Sequence, residues 1–127
     1  MRSSRLIPVL SGAAVAALAA CNPLMPAHAC LADYRYGINV TIVDSITEAP
    51  PSSAVLIAQS GAYVDSVGPA APQTPALLLL STAGERAGTY HLTVRAPGYR
   101  EWTRSSVKVT ADDCHVHPVA ITARLQP

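Results

Sequence analysis

Apolar and polar side chains alternate along most of the chain from Tyr36 onward, and the period is two. Ile38, Val40 and Ile42 interleave with Asn39, Thr41 and Val43, which predicts a half-buried strand closed by Asp44-Ser45. Ala54 to Gln59 and Ala62 to Val67 flank Ser60-Gly61, where glycine can take the positive φ of a tight hairpin. Pro69, Pro72 and Pro75 predict an exposed loop, and Leu77 to Leu80 forms a continuous apolar run that reads as a buried strand. In Thr89 to Ala96, Tyr90, Leu92 and Val94 face one way and Thr89, His91, Thr93 and Arg95 the other; Pro97-Gly98 then turns the chain. Trp102, Val107 and Val109 mark the next strand, and Thr110 to Asp113 a polar turn. The last strand is expected from Cys114 to Leu125, with Pro118 at an edge or bulge because it cannot donate to a ladder.

About seven short strands with turn signals every eight to twelve residues, and no persuasive helix, predict an all-β fold, an antiparallel β-sandwich. No internal repeat is evident.

The front of the chain has a different pattern. Arg2 and Arg5 precede an almost charge-free run from Leu6 to Ala20, the charged-then-apolar order of a secretory leader. Interrupted by Pro8 and Gly12, the run falls short of the roughly 20 residues a membrane-spanning helix needs. It ends Leu18-Ala19-Ala20-Cys21, which resembles the lipobox of bacterial lipoproteins. The resemblance implies cleavage before Cys21 and a diacylglyceryl group on its thiol. Several acyl chains hold a protein on a membrane where a single chain binds reversibly. Asn22 stands where an Asp commonly retains such proteins in the inner membrane, so the resemblance favours the outer membrane of the cell envelope. Ala27-His28-Ala29 offers a competing cut before Cys30, which would release a soluble periplasmic protein. The expected organisation is a signal peptide at 1–20, a tether at 21–29 carrying Pro23 and Pro26, and a sandwich domain at 30–127. At about 3.3 Å per residue the tether reaches roughly 30 Å, which keeps the domain near the membrane surface.

Composition changes meaning once the leader is set aside. The 127 residues are 50% hydrophobic and 13% charged, with a net charge of +1. Removing residues 1–20 takes away Arg2 and Arg5 and no acid, leaving seven basic and eight acidic side chains. Neither a basic nucleic-acid surface nor an acidic tail can be built from that balance. Of the three cysteines, assigning Cys21 to lipid leaves Cys30 and Cys114 as an expected disulfide in an oxidising compartment, the alternative being two free or separately oxidised thiols.

Gly88-Thr89-Tyr90-His91-Leu92-Thr93-Val94-Arg95-Ala96-Pro97-Gly98-Tyr99 resembles the G-x-Y-x-L-x-V-x-A-x-G-Y signature of carboxypeptidase regulatory-like domains. Asp44, Thr47 and Pro50 match that family's D-x-x-T-G-x-P turn, with Glu48 where glycine is usual. The resemblance covers most of residues 36–125 and implies a transthyretin-like sandwich. In zinc carboxypeptidases such a domain is an appendage of a separate catalytic domain. A urate-pathway hydrolase shares the fold, but its C-terminal Tyr-Arg-Gly-Ser has no counterpart in Arg124-Leu125-Gln126-Pro127.

Candidate chemistry is sparse. His115 and His117, two apart in Cys114-His115-Val116-His117, are the candidate metal ligands, with His91 considered as a third. A closed zinc site has four ligands and no spaced Cys or His set supplies the rest, so solvent-facing histidines and no cofactor are expected. No Gly-x-Ser-x-Gly elbow, phosphate-cradling loop or H-E-x-x-H helix is present, and Asp112-Asp113 reads as a turn pair. Tyr90, Tyr99 and Trp102 are expected to pack in the core or at the sandwich edge. Arg95, Arg100, Glu101 and Arg104 are expected to be solvated. The leading expectation is a non-enzymatic envelope lipoprotein that binds or supports an envelope protein or glycan; the alternative is a small hydrolase or metal-binding protein on the same fold. An open, histidine-lined cleft would favour the second.

Overall fold

The expected all-β sandwich of seven strands forms, and most of the strands bury one side. In the computed structural model, which describes residues 29–127, they are β1 Tyr36–Asp44, β2 Ala54–Ser60, β3 Tyr63–Ala70, β4 Leu79–Gly84, β5 Gly88–Arg95, β6 Trp102–Val109 and β7 Val119–Leu125. They make two sheets, β4-β1-β7 and β3-β2-β5-β6. The inner faces meet in one core: Ile38, Val40 and Ile42 from β1 lie with Leu56, Leu78, Tyr90, Leu92, Val94, Val107, Ile121 and Leu125. Each large aliphatic side chain sealed there contributes about 1.5–3 kcal/mol relative to exposure. Tyr90 is buried with its ring, and its hydroxyl donates to Arg86 O at 2.9 Å, so the polar tip is not orphaned. The leader, Cys21 and nearly all of the tether lie outside the described residues.

Four expectations are corrected. The sandwich is not wholly antiparallel, because β7 pairs with β1 in parallel, Ile38 opposite Val119 through Asp44 opposite Leu125. The cause is the path of the chain: β6 ends against the start of β1, where a side chain on Gly37 would come within 2.7 Å of Val109 Cγ1. Entering its sheet from that end, β7 must run as β1 runs.

The last strand is also shorter than expected. Residues 110–118 form a loop closed by His117 N donating to Thr110 O at 2.8 Å and Asp112 N to His115 O at 3.0 Å. Pro118 therefore precedes the ladder and no bulge is required. Val116 is out of phase with Ile121 and Ala123 because it packs into the core from the loop.

Pro69, expected in a loop, lies inside β3. It is tolerated because β3 is an edge strand, with no ladder partner asking for its missing N–H. The preceding Gly68 has φ +102°, and a Cβ there would sit 2.6 Å from Ala54 O, so only glycine fits the register shift between Ala54 and Leu56. Finally, Leu77 to Leu80 is not buried throughout. Leu78 and Leu80 point into the core while Leu77 and Leu79 are partly exposed, and β4 runs on to Gly84.

The turn after β1 carries the matched Asp44 and Thr47. Asp44 Oδ1 accepts from Ile46 N at 2.7 Å and Thr47 N at 2.9 Å, and Oδ2 accepts from Tyr99 Oη at 2.9 Å. These bonds, the Thr47 amide first, hold the carboxyl below its usual range. Glu48 keeps a backbone φ of +60°, the conformation glycine adopts freely and a side chain resists.

Candidate functional site

The densest polar constellation gathers around His115, and it is assembled from three separate pieces of chain. The loop after β6 presents His115, the β4–β5 turn presents Glu85, and the segment before β1 presents Leu31, Asp33 and Arg35. The Cys30–Cys114 disulfide joins the first and last of these, with Cα atoms 5.2 Å apart. The local geometry of the loop comes from Asp112, whose Oδ1 accepts from Cys114 N at 2.8 Å and His115 N at 2.9 Å. Those two amide bonds pull the Asp112 carboxyl down to about 2. The expected polar turn at Asp112-Asp113 is thus an Asx turn that aims the next side chains.

His115 is not solvent-facing; its side chain is 11% exposed. Nδ1 lies 2.8 Å from Glu85 Oε1, and Nε2 lies 3.0 Å from both Leu31 O and Asp33 Oδ1. All three partners are acceptors, so both ring nitrogens must donate, which is the bonding pattern of an imidazolium. The Glu85 hydrogen bond accordingly raises the His115 pKa above its ordinary value, against the desolvation that would lower it. Glu85 is used completely. Its Oε1 also accepts from Arg35 N at 2.8 Å and its Oε2 from Val116 N at 3.3 Å. Desolvation pushes this carboxyl up, but the hydrogen bonds from His115, Arg35 N and Val116 N together outweigh it and hold it below the usual range. Arg35 Nε donates to Asp33 Oδ2 at 2.9 Å, and this bond lowers the Asp33 pKa.

With both ring nitrogens turned to internal acceptors, His115 presents neither of them to a metal. His117 points elsewhere: it is largely exposed, with Nε2 3.3 Å from Asp112 Oδ2. His91 is bonded on another strand, Nδ1 to Ser105 Oγ at 2.9 Å. The structure therefore gives the three histidines three different sets of partners. Among the described residues, no three His, Cys, Asp or Glu side chains are placed to hold one ion.

The three aromatic residues singled out in the sequence, Tyr90, Tyr99 and Trp102, form no open platform. Tyr90 is buried, Tyr99 is tied to Asp44, and Trp102 is partly buried against the core. Arg95 pairs with Glu101 at 2.6 Å with both side chains solvated, a contact of small energetic value. A shallow cleft of about 270 Å³ opens between the start of β2 and the end of β5, lined by Ala54, Val55, Pro69, Ala96 and Pro97 with Arg95 at its rim. No histidine or carboxylate contributes to its lining.

Glu85, Asp33 and Arg35 went unnoticed as sequence because each is an ordinary charged residue in a turn or connecting segment. Only the fold brings them to one histidine. No family model, curated protein or solved structure matches this chain.

Proposed function

We propose that this protein is a lipid-anchored component of the bacterial cell envelope whose β-sandwich acts as a binding or structural module rather than as a catalyst. The observation that carries this reading is the saturation of the His115 constellation. Both ring nitrogens of His115 and both carboxylate oxygens of Glu85 have internal partners, and the arrangement fastens the segment that follows the tether to the body of the sandwich. A general base or metal ligand needs a nitrogen turned toward substrate or ion; here both nitrogens serve as bolts. The lipobox-like Leu18-Ala19-Ala20-Cys21 supports the anchor, and the Gly88 to Tyr99 signature supports a carboxypeptidase regulatory-like module. A domain towed by an anchor benefits from a rigid attachment at its point of entry, and a disulfide suits an oxidising envelope.

Metabolic labelling with palmitate tests the anchor. The full chain is expected to incorporate label and to fractionate with outer membranes, and Cys21→Ala to do neither. Label at equal levels in the Cys21→Ala chain would remove Cys21 from the reading. Cross-linking in native membranes then identifies the envelope protein or glycan that the module holds.

A further inference from the structure

Exposed apolar side chains gather where the chain enters the domain. Leu31, Tyr34 and Tyr36 are 73%, 65% and 46% exposed, three large apolar residues within six positions. The Tyr34 and Tyr36 rings meet edge to face with centroids 5.3 Å apart. Tyr34 also lies over Gly84, where any side chain would collide with its ring. Next along the same turn, the Arg86 guanidinium sits 4.2 Å above the Tyr63 ring. One end of the sandwich thus presents tyrosines, a leucine and an exposed arginine. Of the nearby acids, Asp33 is engaged by Arg35 and His115, Glu85 by His115 and two backbone amides, and Asp65 by Thr82, while Asp113 is exposed.

Tyrosine has an apolar body and a polar tip, which suits it to the headgroup level of a bilayer, and a guanidinium pairs readily with phosphate. The position along the chain matters as much as the chemistry. Cys21 lies ten residues before Leu31, so a tether of roughly 30 Å at full stretch delivers the membrane to this same end. Anchored, the patch meets the lipid surface as an intramolecular event, and a surface too weak to bind vesicles alone is sufficient. The disulfide and His115 make the patch a fixed surface rather than a loose strand.

We propose that this end of the sandwich seats in the headgroup layer of a phospholipid membrane, with Leu31, Tyr34 and Tyr36 at the interface and Arg86 on lipid phosphate. The seat rests on the anchoring reading above and sets the orientation of the domain. The far end, with the turn at Ile46, then faces away from the membrane.

Depth-dependent quenching tests this. Trp102 is the only tryptophan, so Trp102→Phe chains carrying either Tyr34→Trp or Ile46→Trp each report one place. Ile46 is a matched control, 75% exposed but beyond the opposite end of β1, about 30 Å away at the usual rise per residue. Full chains are recovered from membranes, checked for acylation by mass spectrometry, and reconstituted in vesicles of phosphatidylethanolamine and phosphatidylglycerol brominated near the headgroup. The expected result is roughly twofold or greater quenching at position 34 relative to position 46. Equal quenching in an acylated chain overturns the seat and leaves the anchor standing. A chain that is not acylated and does not float with vesicles overturns the anchor, and the seat with it. The unmutated chain gives an independent measure through lactoperoxidase iodination. Tyr34 and Tyr36 should be protected in vesicles relative to Cys21→Ala in buffer, and equal iodination counts against the seat.

Discussion

Glu48 shows how a single residue can keep a turn at a cost. Its φ of +60° is the conformation a glycine would accept, and the flanking bonds from Asp44 to Ile46 N and Thr47 N keep the backbone there. Glu48→Gly is expected to stabilise the domain by about 1 kcal/mol, the usual penalty of a side chain in the left-handed region. Its exposed pairing with Arg124 is worth too little to reverse the sign. Urea denaturation checks this, and a midpoint that falls would show that the turn draws more from the Glu48 side chain than it loses to strain. The departure from glycine is visible in the sequence; that the turn keeps its shape regardless is visible only in the backbone. His115 teaches the complementary lesson. Its position in Cys114-His115-Val116-His117 suggests alternation and solvent, yet a loop reverses that alternation and carries the ring inward, where acids from distant turns meet it.

Among the elements, alternation was legible and pairing was not. The strand containing Tyr90, Leu92 and Val94, and that containing Ile38, Val40 and Ile42, stand where period two puts them, because a half-buried strand writes its own burial in its side chains. Which strand lies beside which depends on contacts between distant residues, so the parallel β1–β7 pair could not be read. Pro118, expected at an edge or bulge of the last strand, precedes the ladder, and Pro69, expected in a loop, lies on an edge strand; in each case the missing N–H falls where no ladder partner is needed. The N-terminal segment is an element without regular structure, and its order comes from cross-links. The disulfide spans a sequence separation of 84 residues, a loop whose closure is worth about 4–5 kcal/mol in the chain-entropy model. Cys30→Ser with Cys114→Ser is therefore expected to lose stability of that order in denaturant titration. A loss under about 1 kcal/mol would mean that the His115 contacts alone hold the segment, or that the unfolded chain is already compact.

For the whole molecule, the engaged ionisable groups define a pH window. His115 has a raised pKa in the fold, so its contribution is fully present below about 6.5 and is lost as pH rises through the folded value. Asp112, Asp33 and Asp44 have lowered values, so theirs is present above about 3.8 and is lost as pH falls, for Asp112 down to about 2. Glu85, also lowered, extends the lower bound to about 4.5. Melting temperature is thus expected to be highest between about pH 4.5 and 6.5 and to decline on both sides, with His115→Gln flattening the alkaline limb. An unchanged alkaline limb in that variant would assign the decline to another group. The parallel pairing of β1 with β7 has a consequence of a different kind, in the order of events during synthesis. The β2–β3 and β5–β6 hairpins join neighbours in the chain and can form as each pair emerges. β1, made first, has one side unmatched until residues 119–125 arrive. The three-stranded layer is then the last to close, and a chain interrupted before β7 retains two hairpins and an open edge.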